Sequence, residues 1–195
     1  MLTLLTRSAF IAICFVVFAS TGIAKVDINS PKVKKALEYI RTIEPETIEE
    51  QIKTAEIPSP TFKEGERAKY YKQRFTELGL ANVRIDKAGN VIGERQGKDP
   101  SKTLVIAAHL DTVFPEGTDV KVKRNGNILT GPGIGDDARG LAVMLAIVRA
   151  LNEAKIETKG NVIFVADVGE EGLGNLNGVG HIVKEELKGK ITHFI

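Results

Sequence analysis

Cysteine is nearly absent from this chain: Cys14 is the only one among 195 residues. It sits inside an N-terminal apolar run, so a chain beginning after that run would hold no thiol. Disulfides and thiolate metal sites are then excluded, and any metal has to be held by His, Asp and Glu. Aromatic residues are also scarce, at 6%, and do not interleave with basic runs, while formal net charge is only +2. That balance carries no electrostatic footprint for nucleic acid or an anionic membrane surface. Internal repeats and low-complexity segments are lacking as well, which argues against repeat arrays and disordered tracts. What remains is ordinary: 43% hydrophobic and 27% charged residues over a length that suits one soluble globular domain.

The first two dozen residues stand apart. Arg7 precedes the apolar stretch Ala9–Ala19, and small Gly22 and Ala24 then occupy the minus-three and minus-one positions of a cleavage site. This is the pattern of an export signal over residues 1–24. The alternative, an uncleaved anchor, needs about 20 apolar residues to span a bilayer, and the stretch is shorter. Lipid attachment at Cys14 is disfavoured by bulky Ile13 before it and the apolar run after it. The expectation is a periplasmic or secreted chain of residues 25–195, with no stable membrane insertion once the signal is removed.

Beyond residue 25, Ser30-Pro31 opens a helix in the favoured order of cap and first-turn proline, with Val33, Leu37, Ile40 and Ile43 at helical spacing. Further helices are expected over Glu46–Ile57, Gly65–Leu78, Gly140–Glu153 and Gly178–Leu187. Thr103–Ala108 and Asn161–Ala166 are continuous apolar runs, the mark of strands buried on both faces. Short strands are expected at Val83–Asp86, Asn90–Glu94 and Ile191–Ile195, with a hairpin around Asn125-Gly126. Buried strands separated by amphipathic helices predict an α/β fold: three αβα layers around a mostly parallel sheet.

Three clusters adjoin these buried elements, and in such sheets ligands bind outside the carboxyl ends of the strands. His109 and Asp111 follow the first buried strand and, as residues i and i+2, can share a side; alone, the pair also fits a satisfied histidine at a strand end. Asp136 and Asp137 follow a glycine-rich approach, Gly131–Gly135, and precede a helix. One aspartate suffices to cap that helix, which leaves the second free to face a cation. Glu170 and Glu171 follow the second buried strand. An isolated pair fits a solvated acidic loop, but a metal would hold one carboxylate and leave the other suited to proton transfer.

Together, AHLDTVFPEG (108–117), GPGIGDDARG (131–140) and GEEGLGNLNG (169–178) resemble the signature blocks of one family. It is the co-catalytic zinc peptidases and deacylases that include aminoacylase, glutamate carboxypeptidase, tripeptide aminopeptidase and acetylornithine deacetylase. PSPTFKEGERA (58–68) and the 86–92 stretch resemble the family's lead-in. The resemblance implies two zinc ions, with cobalt or manganese as substitutes that N/O ligands distinguish poorly. It implies metal ligation by His109, Asp136 and Glu171, with Asp136 bridging both ions through a carboxylate followed by a cis peptide bond. It further implies that Asp111 orients His109 and that Glu170 is the general base. Arg139 stands where the family commonly has lysine. The implied substrates are short peptides or N-acylated amino acids, and relatives are often homodimers.

Five protein ligands belong to the family's pattern and this chain offers three. His181 and His193 are expected to be structural or surface residues. The chain is therefore expected to be the N-terminal portion of a catalytic domain, without a lid or dimerisation domain, binding zinc weakly and hydrolysing little by itself. A second reading is a non-catalytic protein that keeps the scaffold to bind peptides or a partner; retention of Glu170 argues against it.

Overall fold

The computed structural model describes residues 27–195, so the expected export segment lies outside the described residues. Helices α1 (Pro31–Thr42), α2 (Glu44–Ala55) and α3 (Gly65–Glu77) come first. The Ser30 hydroxyl accepts from the Val33 amide to cap α1. Strands β1 (Ala81–Ile85), β2 (Val91–Arg95) and β3 (Asp99–His109) follow, then the hairpin β4 (Lys123–Asn125) and β5 (Ile128–Thr130). Helix α4 (Ala138–Glu153), strand β6 (Gly160–Asp167), helix α5 (Asn177–His181) and strand β7 (His193–Phe194) complete the order.

Five strands form one sheet in the order β1-β2-β6-β3-β7. Strands β6, β3 and β7 run parallel, while β2 is antiparallel to β6 and β1 to β2. The parallel centre is thus extended on one side by an antiparallel pair. Alternation along β6 assigns its side chains to two cores, as strand geometry requires. Val162, Phe164 and Ala166 meet Tyr71 and Phe75 of α3 and Leu141, Met144, Leu145 and Val148 of α4. Ile163 and Val165 face the opposite side, where Ile92 and Val105 flank them in the sheet and Ile182 and Leu187 cover them. Helices α1 and α2 pack outside α4. Among the described residues, no helix is long and apolar enough to cross a membrane.

Element boundaries differ from expectation where packing outweighs local pattern. The expected helix over 178–187 divides into α5 and a π-helical turn, Ile182–Glu186. The Leu187 amide reaches the Ile182 carbonyl at 2.9 Å, and both side chains cover the second face of the sheet. Strand β3 begins at Asp99 rather than Thr103, through pairing with the Gly160 end of β6 across a register shift.

Candidate metal centre

Strand β3 delivers His109 to the carboxyl end of the sheet, directly beside Asp167 of β6. The Leu110 amide donates to the Asp167 carbonyl at 2.6 Å, so both strand ends are held together. Helix α4 begins next to them. Its cap is Asp137, whose Oδ1 accepts the Gly140 amide at 2.9 Å while Oδ2 accepts the His109 amide at 3.1 Å. A side chain at position 140 would collide with that carboxylate, since a Cβ there would lie 2.1 Å from Asp137 Oδ1. Of the adjacent aspartates, Asp137 therefore does the capping. Asp136 is free to turn outward, and the peptide bond between the two is cis, as the resemblance implies.

The third contribution comes from the segment after β6, which turns at Gly169 with φ +61°. His109, Asp136 and Glu171 each place a ligand atom within 4.8 Å of the other two. His109 Nε2 lies 2.9 Å from Asp136 Oδ1, and its Nδ1 lies 3.0 Å from the Asp111 carbonyl oxygen. The Asp111 carboxylate is farther from that nitrogen, at 3.5 Å. The carbonyl thus accepts the Nδ1 proton and leaves Nε2 pointing at the ligand group. The buried Asp111 carboxylate has different partners: Oδ1 accepts the Glu170 amide and Oδ2 the Glu171 amide, both at 3.0 Å, and Oδ2 also accepts the Thr61 hydroxyl at 2.9 Å. Asp111 orients the glutamate segment as much as the histidine.

Electrostatics mark the place as one short of positive charge. Burial pulls the His109 imidazolium down, yet its polar contacts with Asp111 and Asp136 and the charges of Asp137 and Asp111 outweigh that and hold it at about 10. Burial raises Asp111, but the neighbouring His109 and hydrogen bonds from the two glutamate amides and the Thr61 hydroxyl bring it to about 2. Asp167, buried with one carboxylate oxygen unpaired, is pushed by burial up to about 7. Burial and the nearby Asp136 also raise Glu171. A proton on His109 is the counter-charge in this state. The His109 imidazole and the carboxylates of Asp136 and Glu171 are a donor set suited to a divalent ion such as zinc.

The remaining histidines stand elsewhere. His181 Nε2 is 3.8 Å from Asp86, and His193 lies on β7 beside the Thr192 hydroxyl at 3.0 Å. A hollow of about 500 Å³ lined by residues including Glu50, Tyr70, Arg74 and Arg149 contains none of the three ligands. Several supports of the site were not among the sequence candidates. Arg67, fully buried, donates to the Leu110 and Ile57 carbonyls at 2.7 and 2.6 Å. Gln51 donates to the Ile134 carbonyl at 2.6 Å and accepts from Arg139 at 3.3 Å, which ties the glycine-rich approach to α2. Arg67 belongs to the 58–68 stretch that the resemblance flagged; Gln51 left no signal in the sequence.

The sequence profile of peptidase family M28 matches residues 90–195, more than half of the chain. The chain belongs to that family. A candidate hydrolase for LysW-lysine and LysW-ornithine from Pyrococcus abyssi is 41% identical over 117 residues, covering 60% of this chain and 31% of the relative. Succinyl-diaminopimelate desuccinylase from Corynebacterium glutamicum is 30% identical over 130 residues, covering 67% of this chain and 35% of the relative. The crystal structure of aminopeptidase PepT from Bacillus cereus superposes with a TM-score of 0.65 at 28% identity, over 77% of this chain and 42% of that one. The chain spans about a third of the length of the curated relatives it matches.

Proposed function

We propose that this M28-family chain carries the metal-holding group of a zinc-dependent hydrolase that cuts peptide or acyl-amide bonds. The observation behind the proposal is the convergence of His109, Asp136 and Glu171 from three separate elements. Similarity to an aminopeptidase, a tripeptidase from Staphylococcus aureus and a desuccinylase supports short peptides or N-acylated amino acids as substrates. In this reading His109, Asp136 and Glu171 would hold a pair of zinc ions, for which cobalt or manganese could substitute. When bound, such ions lower the pKa of a coordinated water to about 7 and polarise the scissile carbonyl. Glu170 would serve as the general base, taking a proton from the attacking water and returning it to the leaving amine. Asp111 holds both glutamates' backbone and, through its carbonyl, the imidazole tautomer. Residues 1–24 direct export to the periplasm or exterior.

The test is zinc uptake by the chain and by four variants. His109→Ala, Asp136→Asn and Glu171→Gln should each lose most zinc affinity in calorimetric titration. Glu170→Gln should keep it while abolishing any release of amino acids from di- and tripeptides. Zinc uptake indifferent to all three ligand variants would refute the assignment. Peptide binding without turnover in the zinc-loaded chain, unchanged by Glu170→Gln, would favour a non-catalytic binder.

A further inference from the structure

Three consecutive backbone N–H groups, those of Gly169, Glu170 and Glu171, are all taken by carboxylates. Asp111 accepts the second and third, as described above. The first, from Gly169, donates to Glu64 Oε1 at 3.2 Å in a buried hydrogen bond. The same oxygen accepts the Phe62 amide at 2.9 Å. Glu64 ends the turn before α3, is only 7% exposed, and lies 105 residues from Gly169 in sequence. Strand β6 stops at Asp167, so the Gly169 amide has no sheet partner. Leaving such a buried donor unpaired is costly, whereas a charged acceptor makes a strong bond.

We infer that Glu64 is a positioning residue for the metal-binding segment, a role that rests on reading Glu171 as a ligand and Glu170 as the base. Its carboxylate fixes the pivot at Gly169, after which Asp111 fixes the next two amides. The turn carrying Glu64 is itself tied to the site floor: the Thr61 hydroxyl bonds Asp111, and the Thr112 amide donates to the Ser59 carbonyl at 2.9 Å. Glu64 thus transmits the placement of this turn to the two glutamates that the proposed chemistry uses, without touching substrate or metal.

Amide hydrogen exchange in the metal-free chain tests this directly. Glu64→Leu should speed exchange at Gly169 and Phe62 by about tenfold or more, with the Val162–Val165 amides of β6 unchanged. Glu64→Gln, whose side-chain oxygen can accept both N–H groups, should restore the wild-type pattern. Glu64→Asp, which withdraws the acceptor by one methylene, should show the same local acceleration in a variant that keeps the charge. Zinc affinity should fall by about 10–100-fold in Glu64→Leu, the usual cost of losing an outer-shell support, and recover in Glu64→Gln. Unchanged Gly169 exchange in folded Glu64→Leu and Glu64→Asp, or acceleration spread evenly through β6, would overturn the inference. Local acceleration in a chain that takes up no zinc would instead sustain the positioning of the segment and sink the metal reading.

Discussion

Asp111 is the residue on which the greatest number of site contacts depend, and it makes an acid-stability prediction. Its folded-state pKa of about 2 lies below the ordinary 3.8, so the ionised form is favoured by folding. The stabilisation is present above about pH 4 and is lost as pH falls towards 2, and the shift corresponds to about 2 kcal/mol. In metal-free protein, the stability gap between wild type and Asp111→Asn should therefore shrink by about that amount between pH 7 and pH 2. Urea denaturation at several pH values measures it, and a gap constant with pH would contradict the argument. His109, Asp136 and Glu171 were legible in the sequence because each closes or opens a buried element. Helix capping alone left Asp136 and Asp137 interchangeable and only the resemblance assigned the metal to Asp136; the Gly140 and His109 amides give the cap to Asp137. Glu64, Gln51 and Arg67 act across tens of residues of sequence, and no local periodicity encodes such reach.

At the scale of elements, β6 holds both cores apart and carries the glutamate segment at its end. Phe164, fully buried between α3 and α4, should cost about 3–5 kcal/mol on truncation to alanine, seen as a fall in urea midpoint. The opposite end of the same logic is Gly140, where no side chain fits beside the Asp137 carboxylate. Gly140→Ala should displace the cap and cost about 0.5–2 kcal/mol; a variant as stable as wild type would remove Asp137 from that role. Continuous apolar runs made β3 and β6 readable, and Asn125-Gly126 marked the hairpin. The antiparallel placement of β2 against β6 was not readable, because strand order depends on contacts between segments some 70 residues apart. Nor was the π-helical turn, whose extra residue is set by where Ile182 and Leu187 meet the sheet.

For the molecule as a whole, the proposed metal uptake is linked to folding, because the three candidate ligands come from segments that only the folded chain brings together. A ligand that binds only the native state stabilises it by about 2.7 kcal/mol at a hundredfold excess over its dissociation constant. Zinc should therefore raise the melting temperature in a concentration-dependent way, EDTA should reverse the rise, and His109→Ala should show none. A melting temperature indifferent to zinc would mean that the group does not act as one site. The three-layer architecture was legible from alternating buried strands and helices, whereas the thinness of one layer was not. That second face is covered by Ile182 and Leu187, which lie on the same uninterrupted stretch of backbone that leaves Glu171. Truncating that cover in Ile182→Ala should therefore bare Ile163 and Val165 and admit a fluorescent apolar dye before the chain unfolds, and a variant that takes up no more dye than wild type would contradict it.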